Sequence, residues 1–173
     1  MAFDAFFLRA VLDEIRQKAI HARIDKIHQP SRDTLILHLR CKEGREKLLF
    51  AANPTAPRLH LTTSSPENPP EPPMFCMLLR KHLVGARVAD IVQPHLERMV
   101  RLELDITDDF GQPGKRTLVL EAMGRRSNLI LLDEDLQDMD WHEVVNSVRR
   151  MSWIQMPHIF LMTSRHIYPE NIS

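Results

Sequence analysis

Glycine is scarce in this chain of 173 residues: there are five. Each sits where the sequence reads as a turn, so none is left for a loop that cradles phosphate with backbone N–H groups. Cysteine is scarcer still. Cys41 and Cys76 are the two, too far apart for a CxxC pair and without ligand-type neighbours at metal spacing. Both read as reduced thiols. No apolar run approaches the ~18–20 residues that span a bilayer. Asp4 and Arg9 interrupt the amino-terminal apolar stretch and Asp13 and Glu14 follow, which does not match a signal peptide. A cytoplasmic location is expected. Excess charge of one sign is missing too, with 23 Lys+Arg against 23 Asp+Glu. That balance excludes a strongly basic DNA-coating protein and leaves room for a local basic patch.

The motifs of common catalytic sites are absent: no GxGxxG, no Walker loop, no HExxH and no GxSxG. Nine histidines invite a metal, yet His21, His28, His38 and His60 follow no ligand spacing, and no metal or cofactor is expected. His38 and His60 fall opposite strand leucines and read as solvated. Asp108–Asp109 and Asp133–Glu134–Asp135 fall in predicted turns and read as solvated acids rather than a catalytic pair.

What is present is an ordinary globular composition, 43% hydrophobic and 27% charged, in a chain of one-domain length. Leu8, Val11, Leu12, Ile15 and Ala19 recur at helical spacing. Asp4 is the expected N-cap, Phe3 can staple onto Leu8, and Phe6 and Phe7 add apolar mass at the entry. The period then becomes two. Leu35, Leu37 and Leu39 share one face of a strand over Asp33–Arg40, and CKEG turns it into Lys47–Ala51. Arg58–Thr62 alternates in the same way. Seven of the twelve prolines lie between Pro54 and Pro73, which reads as a stiff loop. It delivers the chain into a second helix, MFCMLLRKHL, stopped by Gly85. Phe75, Leu78, Leu79, His82 and Leu83 form its expected buried side, with Arg80 and Lys81 toward solvent.

Further strands are predicted over Arg87–Val92, Met99–Ile106, Thr117–Ala122 and Asn128–Leu132, with DDFGQPGK and MGRRS as turns. No internal repeat is evident. The predicted architecture is α+β: two helices packed on a mainly antiparallel β-sandwich, with a domain over 1–135 and a tail or start of a following module over 136–173. Basic pairs stand out at Arg80–Lys81, Arg125–Arg126 and Arg149–Arg150. Arginine in an exposed turn can grip phosphate with two parallel N–H bonds.

The order of segments says more. ARIDKIHQPSRDTLILHLR, NPPEPPMFCMLLRKHL, VADIVQPHLERMVRLEL and LVLEAMGRRSNLILLDED closely resemble the amino-terminal domain of the NFACT family, which holds RqcH and the fibronectin-binding, FbpA-like proteins. The resemblance runs from Met1 to about Asp135. It implies a fold like the amino-terminal domain of the formamidopyrimidine-DNA glycosylases. It also implies a role in ribosome-associated quality control: binding the large ribosomal subunit with its stalled peptidyl-tRNA and recruiting alanyl-tRNA for an untemplated tail. The subunit would catalyse peptide transfer, so no enzyme activity is expected of this chain. Met1-Ala2-Phe3-Asp4 stands in place of the Pro-Glu start that glycosylase chemistry uses.

The family's tRNA-handling Asp-Arg pair aligns with Glu97-Arg98, one methylene longer in the acid. An acid beside a guanidinium suits a tRNA loop, since Arg can bind phosphate or stack on a base while the carboxylate orients it. In an extended strand the two would face opposite sides, so a shared ligand needs a turn over Pro94–Arg98. Arg80, Lys81, Arg125 and Arg126 are further candidate phosphate contacts. Family members continue with helix-hairpin-helix, coiled-coil and NFACT-R modules, and a chain ending at Ser173 is expected to be a fragment of that plan or a shortened gene product. The older family label supplies an alternative, a fibronectin- or fibrinogen-binding adhesin-type module.

Overall fold

The computed structural model describes residues 4–94, 97–122 and 127–132, and the backbone of 160–162 and 167–169. Helix α1 (Ala5–Ala19) begins where the sequence placed it: Asp4 Oδ1 accepts the Phe7 N–H at 2.8 Å, satisfying one of the orphan donors of the first turn. Leu8, Leu12, Ile15 and Ala19 are its buried stripe. The proposed staple falls on Phe3, outside the described residues. Helix α2 (Met74–Leu83) buries Phe75, Cys76, Leu79 and Leu83. It ends ahead of Gly85, whose φ of +87° is a left-handed conformation that L side chains rarely adopt.

Among the described residues ten strands form one hydrogen-bonded ladder, β10-β9-β8-β7-β6-β5-β1-β2-β3-β4. They are β1 (Arg23–Ser31), β2 (Thr34–Cys41), β3 (Gly44–Ala51), β4 (Arg58–Thr62), β5 (Arg87–Val92), β6 (Met99–Thr107), β7 (Pro113–Glu121), β8 (Asn128–Leu132), β9 (Phe160–Met162) and β10 (Ile167–Pro169). Every pairing is antiparallel except β8 with β9. The α+β expectation therefore holds. Strand β7 starts four residues earlier than predicted, because Pro113–Arg116 pair with Leu104–Thr107 and shorten the hairpin loop. Strand β1 has no counterpart among the strands predicted from the sequence.

The ladder divides at β1 and β5, which share the single residue pair Arg23–Arg87. On one side lies the four-stranded meander β1–β4, on the other β5–β8. The inward leucines of both, including Leu37, Leu39, Leu48, Leu102, Leu104 and Leu118, join the buried stripes of both helices in one core. Each fully buried leucine contributes about 1.5–3 kcal/mol relative to exposure.

The two halves repeat each other. Each is a helix followed by a four-stranded meander. His21 and Gly85, both at positive φ (69° and 87°), follow the helix ends. Their N–H groups donate across the seam to Val88 and Ile24, each at 2.8 Å, and Ile24 and Val88 donate back to Ala86 and Ala22 at 2.9 and 2.8 Å. Arg16 donates to the Ile91 carbonyl, and its counterpart Arg80 donates to the Ile27 carbonyl. Both seam strands carry a bulge at the same place, between Ile24 and Lys26 and between Val88 and Asp90. The extra residue lets Ile24 and Ile27, three apart, both face the core, as Val88 and Ile91 do. The expectation of no internal repeat is thus corrected: the repeat lies in the architecture, while unequal turns shift its spacing along the chain.

Candidate nucleic-acid interface

Strand β5 ends at Val92, and the chain must reverse before β6 begins at Met99. Pro94 supplies the corner: its carbonyl accepts the Glu97 N–H at 3.2 Å, the bond of a β-turn. Gln93 holds the turn from inside. Its Nε2 donates to the Glu97 carbonyl at 2.8 Å and to the Ala5 carbonyl at 2.9 Å, tying the turn to the start of α1. Ala122, at the end of β7, donates its N–H to the Arg98 carbonyl at 2.8 Å. Glu97 is half-buried and Arg98 exposed. The turn that a shared ligand requires is present, so the two side chains are released from strict strand alternation.

Two features around this turn had no sequence signal. Glu121 pairs in register with both Met99 and Asn128 and is only 1% exposed, a carboxylate enclosed at the end of a strand beside the Glu97–Arg98 segment. Phe6 follows Ala5, whose carbonyl shares the Gln93 amide with Glu97, and is 73% exposed. It adds its apolar mass at the helix entry on the outside, because α1 turns its Leu8 stripe inward. An exposed aromatic ring is the kind of surface on which bases stack.

The other candidate cations divide. Ala122 leads directly into the segment holding Arg125 and Arg126, which lie outside the described residues, as do Arg149 and Arg150. Lys81 is exposed in the last turn of α2. Arg80 is not toward solvent as expected. Its Nε donates to the Ile27 carbonyl at 2.9 Å and its Nη2 to His28 Nδ1 at 3.4 Å, so it is anchored on β1 rather than on the β5–β6 turn. His38 is half-buried instead of solvated, edge-on to His28 with ring centroids 4.9 Å apart. Burial holds both imidazoles below their ordinary value of 6.5, helped at His28 by Arg80, Lys26 and Lys47 and at His38 by His28, Lys47 and Lys26. His60 is also half-buried, its Nδ1 donating to the Leu61 carbonyl at 2.9 Å.

This fold and turn define an NFACT amino-terminal domain. The family model described as "NFACT N-terminal and middle domains" matches residues 4–162, and the chain belongs to that family. Among curated relatives, the Rqc2 homolog RqcH of Bacillus subtilis (strain 168) is 43% identical over 133 residues, covering 77% of this chain and 23% of that protein. The Rqc2 homolog RqcH of Streptococcus pneumoniae (strain D39) is 33% identical over 170 residues, 98% of this chain and 30% of the relative. The chain therefore spans about a quarter to a third of the length of these relatives. Among solved structures, the N-terminal domain of the fibronectin-binding protein PavA from Streptococcus pneumoniae superposes with a TM-score of 0.75 at 36% identity, covering 78% of this chain and 51% of that one. The N-terminal part of the fibronectin/fibrinogen-binding protein of Streptococcus suis gives 0.76 at 37%, covering 79% and 51%. Among the described residues no helix is long and apolar enough to cross a membrane.

Proposed function

We propose that this chain is the RNA-binding amino-terminal part of a cytoplasmic ribosome-associated quality-control factor of the RqcH type. In this reading it docks on tRNA at the large ribosomal subunit and helps recruit alanyl-tRNA for untemplated tailing of a stalled chain. Peptide transfer belongs to the subunit, and the chain supplies position rather than chemistry. The observation that carries the proposal is the braced turn at Pro94–Arg98, which sets an exposed Arg98 beside Glu97 and next to the entry of the Arg125–Arg126 segment. The guanidinium would take a phosphate or base edge, with Glu97 accepting from base amino groups or steering Arg98. Arg125 and Arg126 would extend the contact along the backbone. Lys81 adds charge elsewhere, on α2.

Fluorescence anisotropy with an in vitro transcribed alanine tRNA tests this. Removing one such contact is worth about 1–3 kcal/mol, so Arg98→Ala should weaken binding roughly five- to 150-fold at fixed salt. Arg98→Lys should restore only part of that, because it keeps charge and loses the planar fork. Unchanged affinity in Arg98→Ala would refute the reading. The names of the similar PavA and Streptococcus suis proteins favour a second one, a fibronectin- or fibrinogen-binding module. Surface plasmon resonance on immobilised fibronectin separates the two, since the RNA reading expects no saturable binding there.

A further inference from the structure

The architectural repeat provides an internal control for surface charge. On the outer face of the first half, Lys26 pairs with His38, His38 with Lys47 and Lys47 with Thr62, one row crossing all four strands. The matching row of the second half is Asp90, Glu103, Thr117 and Leu132. The same scaffold positions are therefore basic in one half and acidic or neutral in the other. The helices sharpen the contrast. Arg16 of α1 is neutralised by Asp90 at 2.9 Å. Its counterpart Arg80 meets His28, with Lys26 standing where Asp90 would be.

Among the described residues, no carboxylate lies within 4 Å of Lys26, Lys47 or Arg80. Helix α2 carries no acidic residue. Lys47 Nζ bonds the Ser64 carbonyl and Ser65 Oγ, both neutral. Asp25 is the acid that faces His38, and it already pairs with Arg40 at 3.7 Å. Strands lie about 4.8 Å apart, so the Lys26–His38–Lys47 row extends roughly 10 Å. Lys26 and Lys47 stand two strands apart with His38, held below its ordinary 6.5, between them, so the row offers two permanent cations on one face.

We infer that the outer face of β1–β3, built from Lys26, His28, His38, Lys47 and Arg80, is a second RNA-binding surface that grips the phosphodiester backbone without reading sequence. RNA is favoured over an acidic peptide because the row offers two half-exposed imidazole rings among the cations, and His rings can stack on bases. The inference deepens the RNA-binding reading above, yet it uses none of the residues of the Glu97–Arg98 turn.

The test uses the whole 173-residue chain and a twenty-residue poly(U), an unstructured probe that a folded-tRNA site does not require. The Lys26→Ala/Lys47→Ala variant should bind it on the order of ten-fold more weakly, and the slope of log affinity against log salt should fall by about 1.4. Lys115→Ala, at an exposed lysine of β7 outside both surfaces, should leave poly(U) binding intact. Wild-type affinity and slope in the double variant would overturn the inference even where Arg98→Ala abolishes binding of alanine tRNA. Loss in the double variant with no effect of Arg98→Ala on tRNA would instead overturn the turn reading and leave this face standing. No binding of poly(U) by the wild-type chain, or equal competition by polyglutamate, also overturns it. Should the double variant melt at a lower temperature, exposed Lys26→Gln alone must show about half the slope change.

Discussion

Gln93 and Gln29 occupy equivalent places in the two halves and brace equivalent turns, but they do so unequally. Gln93 Nε2 makes two bonds, to the Glu97 and Ala5 carbonyls, while Gln29 Nε2 makes one, to the Arg32 carbonyl at 3.2 Å. Both amide oxygens are buried without a partner among the described residues, so that term cancels in a comparison. A hydrogen bond contributes about 1 kcal/mol net, and each carbonyl stranded by its loss costs more where water cannot reach it. Gln93→Met, close in volume, should therefore destabilise the chain by about 2–3 kcal/mol and Gln29→Met by about 1. For a chain of this size that corresponds to melting-point drops of about 4–12 °C against 2–4 °C. Thermal melts followed by circular dichroism, together with urea midpoints, give both numbers. Equal losses, or a larger loss at Gln29, would refute the bracing role assigned to Gln93.

Three further outcomes follow from the same geometry. Gly85→Ala forces an L side chain to φ +87° and should cost more than about 1 kcal/mol, read as a lower urea midpoint with unchanged slope. Asp4→Ala removes the acceptor for the Phe7 N–H and should cost about 1 kcal/mol in the same assay. His28 and His38 sit below the ordinary imidazole value of 6.5 in the folded state. In the unfolded chain they bind protons first, so stability should fall as pH drops through 6.5 and continue falling until the folded imidazoles titrate. Urea midpoints at pH 7.5 and 5.5 should differ in that direction, and a His28→Gln/His38→Gln variant should narrow the gap. The groups that set those shifts are Arg80, Lys26 and Lys47, with Asp25 opposing at His38.

The elements with clean periodicity were legible from the residues alone. Helix α1 with its Asp4 cap, and strands β4, β5 and β8, stand where the apolar spacing put them. Strand β1 was not, because its bulge sets Ile24 and Ile27 three apart, and an alternation test fails on that spacing. The duplication stayed hidden for a related reason. Turns of unequal length move the correspondence from Arg23–Arg87 through Leu37–Leu102 to Leu48–Leu118, so no fixed period survives. The Glu97–Arg98 pair was reached only through family resemblance, since two adjacent charged residues carry no signal of their own. Gln93 and Glu121 carry no signal in the sequence: a glutamine reveals its bonds, and a carboxylate its enclosure, only once distant strands meet.

The seam between the halves has a kinetic consequence. Each meander can zip from its own hairpins, but His21 with Val88 and Gly85 with Ile24 meet only after a long loop closes. Docking of the two meanders is thus the late, entropically expensive event on the route to the native state. Substitutions that weaken the seam should then hasten unfolding more than they slow refolding.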